Sequence, residues 1–224
     1  MPERTTRKTS SNASTRRAAL ANEIAQAIRQ RQFRPGEWLR QIDLEERFEA
    51  TRFDVRSALD ELAVRKTIEH VPNRGYRVAE LDGKTYAEIL ATRIILEQAT
   101  AEGIVARIDA AGIARLEELA ARFSAAVTTG SQSEQSEINR AFHQFLYGFC
   151  GNAVLEELIW SLRDRGRGSQ ITVWSSHERL QRSDREHLDM IAAVKARDAG
   201  VLATLIAEHI QKGAPVGPAP AEPG

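Results

Sequence analysis

The stretch LRQIDLEERFEATRFDVRSAL, residues 39–59, decides the fold, because it predicts two short helices joined by a tight turn. Apolar residues recur at near-helical spacing on both sides of the turn, so each helix has an inner face. Thr51, followed by Asp54 three residues later, has the form of a capping box that opens the second helix. A turn this short makes the helices cross steeply, as in a helix-turn-helix. The inward residues are Ile42, Leu44 and Phe48 in the first helix and Val55, Leu59 and Leu62 in the second.

The outer face of the second helix carries two arginines, Arg52 and Arg56, four residues apart at its start. Guanidinium forks in this position can reach guanine edges or phosphates in the major groove of DNA. The alternative is that both arginines only solvate a helix face. These two residues alone leave both interpretations open.

Residues 68–78, IEHVPNRGYRV, predict two short strands around a Pro-Asn-Arg-Gly turn. A β-ribbon directly after a helix-turn-helix is a wing. Arg74 lies at its tip, and the neighbouring Gly75 adds no side-chain bulk, so this tip can approach a DNA groove or backbone closely.

The whole unit from Leu20 to Val78 resembles the winged helix-turn-helix domain of the GntR family of bacterial transcription regulators. That family usually has proline where this chain has Asp54, whose charge favours the helix N-terminus. The matching motifs are Arg34-Pro35-Gly36-Glu37-x-Leu39, Leu44-x-x-Arg47-Phe48, Thr51-Arg52-x-x-Val55-Arg56-x-Ala58-Leu59-x-x-Leu62 and Asn73-Arg74-Gly75-x-x-Val78. The DNA contacts that this resemblance implies are Arg40, Thr51, Arg52, Phe53, Arg56, Arg74 and Gly75.

Length and charge support two domains with different partners. The 224 residues suffice for domains of about 80 and 130 residues. Residues 1–82 hold 16 Lys and Arg against 13 Asp and Glu, and residues 83–224 hold 15 against 18, so a net charge of +3 precedes one of −3. The single cysteine, Cys150, excludes an intrachain disulfide and indicates a reducing compartment. The chain shows neither a membrane span nor a signal sequence, and we expect a cytoplasmic protein.

The predicted fold is mainly α, with a winged helix-turn-helix followed by an all-α bundle. We expect a first amphipathic helix that is marked by Leu20, Ile24, Ala27 and Ile28 and ends near Arg31. About six helices follow residue 85, near 85–107, 110–128, 134–150, 152–168, 179–196 and 199–212. The predicted organisation is a disordered arm over residues 1–14, the winged domain over 15–80, a linker over 81–84, the helical domain over 85–212 and a disordered tail over 213–224.

Three histidines of the helical part occur one per helix, each beside apolar neighbours. His143, His187 and His209 would form a nitrogen site for a divalent metal if they converged, with Asn139 as a fourth, weaker ligand one turn before His143. The alternative is three unrelated histidines that pack or hydrogen-bond. Spacing alone favours that alternative, because it does not show convergence.

Residues 85–212 resemble the FCD domain, the helical effector domain of the FadR branch of GntR regulators. The matching pieces are Arg93-x-x-Leu96-Glu97, Gly103, Asn139-x-x-Phe142-His143, Gly151-Asn152, Glu186-His187, Ala196-Arg197-Asp198 and Glu208-His209. Many members bind a divalent metal through an Asp and three His, which correspond here to Asn139, His143, His187 and His209. The resemblance implies a metal, zinc first with nickel or manganese as alternatives, and a homodimer.

The same resemblance implies that Arg93 binds the carboxylate of a small effector, although an arginine one turn from Glu97 is often an intrahelical pair. Arg163, Arg165 and Arg167 form a run beside two glycines, which we interpret as a solvated helix end.

We therefore expect a DNA-binding regulator, a repressor, that reads a pseudo-palindromic operator and senses a small carboxylate. One alternative is a metal-dependent hydrolase that uses the three histidines, with Glu186 as base. Another is a winged-helix module that binds proteins; the outward arginines argue against it.

Overall fold

The computed structural model describes residues 6–30, 32–167 and 177–212. The chain folds into two compact units: the first contains the residues up to Asp82 and a short segment that begins at Asp164, and the second contains the other residues from Gly83 onward. The first unit contains α1 (Thr6–Arg29), β1 (Trp38–Leu39), α2 (Gln41–Arg47), α3 (Arg52–Val64), β2 (Ile68–Val71) and β3 (Gly75–Val78). This is the predicted winged helix-turn-helix.

The core of the first unit forms around the inner face of α3. Val55, Leu59 and Leu62 are fully buried and pack with Ile24 of α1 and Val78 of β3. The start of α3 is fixed by the predicted cap: the Thr51 hydroxyl accepts a hydrogen bond from the Asp54 N–H (3.2 Å) and donates one to Asp54 Oδ2 (2.7 Å). The cap and the buried stripe together determine which residues α3 turns outward.

The wing is a three-stranded antiparallel sheet in the order β1-β3-β2. The two predicted strands are present, and β1 is an additional strand, with Trp38 opposite Arg77 and Leu39 opposite Tyr76. A strand of two residues is too short to show alternation in the sequence. Its effect is to tie the segment before α2 to the wing.

The prediction for Ile42 was wrong, and α1 begins earlier than the predicted first helix. Ile42 is 63% exposed, because α2 has only seven residues and Ile42 lies two positions, about 200° of helix, from the buried Leu44. We also predicted a disordered arm over residues 1–14, whereas α1 begins at Thr6. No proline or glycine interrupts the chain between Thr6 and Arg29, so no residue there breaks the helix.

The second unit is all-helical, and within the described residues it has seven helices rather than about six. The predicted first helix is divided at Ala99 and Thr100, and α4 begins at Gly83, inside the predicted linker. The predicted tail, residues 213–224, lies outside the described residues. The helices are α4 (Gly83–Gln98), α5 (Ala101–Arg107), α6 (Ala110–Thr129), α7 (Gln132–Tyr147), α8 (Ala153–Arg167), α9 (His177–Lys195) and α10 (Ala199–Lys212).

The core of this unit joins α7, α9 and α10 to the helices around them. Phe142, Met190 and Ile206 are fully buried in one cluster. Where α5 meets the turn after α7 the two backbones touch, because a Cβ on Gly103 would lie 2.0 Å from the carbonyl oxygen of Cys150. The free Cys150 is buried there.

Candidate nucleic-acid interface and candidate metal centre

The N-terminal turn of α3 presents its polar side outward. Thr51, Arg52, Phe53 and Arg56 are all exposed, Phe53 to 67%. Among the residues that the structure describes, Arg52 has no hydrogen-bond or ion-pair partner, so its guanidinium can meet an external acceptor. A guanidinium at a helix N-terminus that has no partner in its own chain can bind base edges or phosphates.

A cleft of about 390 Å³ lies between this turn, the start of α2 and the wing. Four of the seven predicted DNA contacts line it: Arg40, Arg52, Arg74 and Gly75. Gly75 has φ +99°, which favours glycine, and nothing lies within 4 Å of a Cβ built there. The other three predicted contacts, Thr51, Phe53 and Arg56, are exposed outside the cleft lining.

The wing-tip arginine already has an aromatic partner. The guanidinium of Arg74 lies 4.6 Å from the ring centroid of Trp38, in cation–π geometry. Trp38 belongs to β1, so the additional strand positions the arginine at the mouth of the cleft. Nothing in the alternation of residues 68–78 indicated this contact.

In the second unit the structure brings the three predicted histidines together. Ring nitrogens of His143 (α7), His187 (α9) and His209 (α10) all lie within 4.8 Å of one another. His143 Nε2 and His209 Nε2 are 3.1 Å apart. His143 and His187 are fully buried, and burial, with the positive charge of Arg163 contributing, holds the pKa of each well below its usual value. His143 and His187 are therefore neutral imidazoles at neutral pH.

Several buried polar atoms around the cluster have no hydrogen-bond partner among the described residues. They include Asn139 Oδ1, His143 Nδ1 and both ring nitrogens of His187. Leaving such atoms unpaired costs about 1–3 kcal/mol each. Asn139 is buried one turn before His143, where the sequence placed it.

The donor set fits a divalent metal. Two nitrogens bound to one tetrahedral zinc at about 2.0–2.1 Å would lie about 3.3 Å apart, and the His143–His209 separation is 3.1 Å. His209 Nδ1 donates to Glu186 Oε2 at 2.7 Å, which leaves its Nε2 as the lone-pair nitrogen facing the cluster. A carboxylate behind a ligating histidine is the usual support of such sites.

One turn further along α7, a buried ionic group adjoins the cluster. Glu97 is fully buried and accepts from Arg93 Nε (2.7 Å), from Arg163 Nε and Nη2 (3.1 and 2.6 Å) and from the Tyr147 hydroxyl (2.6 Å). Burial raises the pKa of Glu97, but the two guanidiniums more than offset this and lower it to about 2. Arg93 thus makes the intrahelical pair that sequence reasoning kept as its alternative.

Arg163 is the residue that sequence reasoning missed. We expected a solvated helix end, but Arg163 is 6% exposed and its guanidinium lies over the rings of Tyr147 and Trp160. A signal was present, because Arg163 falls four residues after the fully buried Ile159 and so continues the inner face of α8.

A winged helix-turn-helix with an outward arginine pair, followed by a separate all-helical domain, defines the class of two-domain bacterial transcription regulators. A family model described as the FCD domain matches residues 88–212, and one described as bacterial regulatory proteins of the gntR family matches residues 16–78. The chain belongs to the GntR family of DNA-binding transcriptional regulators and carries an FCD domain. The predicted family and fold class are thereby confirmed.

Similar proteins agree with this assignment. The Nta operon transcriptional regulator of Aminobacter aminovorans is 27% identical over 182 residues, which cover 80% of this chain and 84% of that protein. The HTH-type transcriptional repressor GlaR of Escherichia coli (strain K12) is 24% identical over 193 residues, which cover 82% and 87%. The structure of E. coli McbR/YncC has the same fold, with a TM-score of 0.81 and 22% identity over 88% of this chain and 94% of that one.

These relatives are regulators and not enzymes, so the hydrolase alternative is not supported. Glu186, its candidate base, is hydrogen-bonded to His209. Within the described ranges no helix has the length and apolar character to span a bilayer.

Proposed function

We propose that this regulator is a repressor whose affinity for its operator is controlled by a small carboxylate effector, bound beside a divalent metal in the helical domain. The observation that carries the proposal is the convergence of His143, His187 and His209, with the buried Asn139 one helical turn before His143. Several polar atoms of these residues lack hydrogen-bond partners among the described residues. Repression is supported by the similarity to GlaR, which is a transcriptional repressor.

The metal is proposed from the chemistry of the donors. Neutral imidazoles suit zinc first, with nickel or manganese as alternatives. Asn139 would contribute its Oδ1, which has no other partner in the described structure. Because the amide of Asn139 brings no negative charge, the three imidazoles would provide most of the coordination of the ion. An anionic effector would supply the negative charge that the site lacks.

Arg93 is the proposed anchor for the effector carboxylate. Its Nε is committed to Glu97 (2.7 Å), while its two terminal amino groups have no partner among the described residues. An arginine that is fixed through Nε, with both terminal amino groups still available, is oriented to bind a carboxylate. Glu97 thereby positions Arg93.

The proposed DNA interface consists of the N-terminal turn of α3 and the wing. The α3 contacts are Thr51, Arg52, Phe53 and Arg56, and the cleft contributes Arg40, Arg74 and Gly75. One helix and one wing neutralise too few phosphates for tight specific binding at cellular salt, so a homodimer on a pseudo-palindromic operator is part of the proposal.

Replacement of one arginine tests the interface. Arg52→Ala should weaken specific operator binding by about 1–3 kcal/mol, because the uncommitted guanidinium at the N-terminal turn of α3 is lost. A site selected from genomic fragments with the purified protein would be used in fluorescence anisotropy titrations.

The matched control for this experiment is Arg65→Ala at the other end of α3. It removes the same charge, but Arg65 is bonded to Asn22 and Glu61. Equal losses of operator affinity in both variants would indicate a general charge effect. They would contradict the assignment of the N-terminus of α3 as a DNA contact.

Replacement of a histidine tests the metal centre. Protein purified without chelator or added metal should contain one transition metal per chain, and His143→Ala should lose it and no longer respond to effector, while still binding DNA. Elemental analysis and the same DNA titration measure this.

His177→Ala removes an exposed histidine at the start of α9 and should keep the metal. Metal-free wild-type protein would refute the metal half of the proposal.

A further inference from the structure

The ionic group around Glu97 has one positive charge more than it can neutralise. Arg93 and Arg163 converge on a single carboxylate, and Tyr147 donates to that carboxylate as well. Glu97 accepts four hydrogen bonds, about as many as a carboxylate has lone-pair positions for. No capacity remains for the terminal amino groups of Arg93, so one unit of positive charge lacks a counter-ion here.

The histidine cluster carries a second excess once it holds the divalent ion of the proposed function. Its imidazoles bind metals in the neutral form, and Asn139 is neutral as well. The carboxylate in contact with the cluster is Glu186, 2.7 Å from His209 Nδ1. Two positive charges against one negative charge again leave one unit of positive charge, which an aspartate at position 139 would have cancelled.

The two charged groups adjoin each other at α7, which carries His143 of the cluster and Tyr147 of the ionic group. His143 and Tyr147 lie one helical turn apart with ring centroids 5.8 Å from each other, and the Tyr147 hydroxyl lies 3.2 Å from Arg163 Nη2. Buried net charge is strongly unfavourable unless a counter-ion accompanies it. The residues that link the two groups are one helical turn apart, a separation that two anionic groups on one short molecule can span.

We propose that the effector site selects a dianion, a short dicarboxylate with one carboxylate at the histidine cluster and the other at the terminal amino groups of Arg93, held by Glu97 and Arg163. The inference rests on the proposed metal and effector site and narrows its ligand class. It assigns the selectivity to Asn139, the position where this chain carries an amide in place of the family's usual acid.

Calorimetric titration of the full-length, metal-loaded protein with succinate and butyrate tests the inference. Both acids have the same carbon skeleton length, and they differ in the second carboxylate. Succinate should bind about tenfold or more tightly, the equivalent of one charge-assisted hydrogen bond. Asn139→Asp should reduce this ratio toward unity, because it cancels the charge at the histidine cluster.

The matched control is Asn152→Asp. Asn152 is exposed and caps α8 by accepting from the Leu155 N–H at 3.0 Å, a role that aspartate also fills. This control adds the same charge elsewhere and should leave the ratio unchanged.

The outcomes separate the two proposals. Three results would overturn the dianion assignment alone. In the first, metal-loaded protein binds butyrate as tightly as succinate, and in the second it binds neither acid. In the third, Asn139→Asp keeps the wild-type ratio of the affinities for succinate and butyrate. Protein that holds no metal overturns the proposed function, and the charge count with it.

Discussion

Glu97 is the single residue that holds together the ionic group of the helical domain. Its pKa falls from 4.5 to about 2, because the guanidiniums of Arg163 and Arg93 outweigh the effect of burial. A folded-state pKa below the unfolded value stabilises the fold above about pH 4.5, and this contribution is lost as the pH falls toward about 2. The shift corresponds to roughly 3 kcal/mol.

Removing this carboxylate should therefore be costly. Glu97→Gln should lower the free energy of unfolding at pH 7 by about 3–5 kcal/mol, because two buried guanidiniums lose their counter-ion. It should also flatten the dependence of stability on pH between about 4.5 and 2. Urea unfolding followed by circular dichroism at several pH values measures both effects.

Glu118→Gln is the control for this measurement, because Glu118 pairs with Arg115 on the surface of α6. A pH profile of Glu97→Gln that matches that of the wild type would show that Glu97 is not the titrating group.

At the scale of elements, the boundaries that the sequence predicted well are those set by local caps. Asp109 and Ser131 accept hydrogen bonds from Gly112 N–H and Glu134 N–H, and α6 and α7 begin directly after them. Side-chain caps act within three residues, so a single sequence contains the necessary information.

The break between α4 and α5 was not predictable in this way. It lies at the buried Thr100, whose hydroxyl donates to the carbonyl of Glu97 at 2.6 Å. Glu97 is buried through partners on α7 and α8, far away in sequence. The same limit applies to the site: the sequence named His143, His187 and His209, but it could not show that Arg163 binds Tyr147 and Glu97, which only the folded chain brings near.

At the scale of the whole molecule, the proposed regulation requires that a ligand in one domain changes DNA binding by the other, and the proposed homodimer would provide two states with different spacing of the α3 helices. The helical unit has exposed apolar side chains for such an interface, including Ile95 on α4 (70% exposed) and Leu158 on α8 (50%). Apolar side chains this exposed are candidates for contacts between subunits.

Sedimentation velocity should show a particle of about twice the chain mass of 24.9 kDa at micromolar concentration. Ile95→Lys should shift this particle toward the monomer, because it places a charge in an apolar contact. Val64→Lys, on an 81% exposed residue of α3, should not affect the mass. A monomeric wild type would exclude the proposed dimer at that concentration.

The touching backbones at Gly103 and Cys150 have a mechanical consequence. At Gly103 no side chain separates α5 from the turn that leads from α7 to α8, and Arg107 of α5 donates to the Cys150 carbonyl at 3.3 Å beside it, so little free space remains there to absorb a displacement. A displacement of α7 at its histidines would therefore move α5 as well. Any larger side chain at position 103 would separate α5 from this turn.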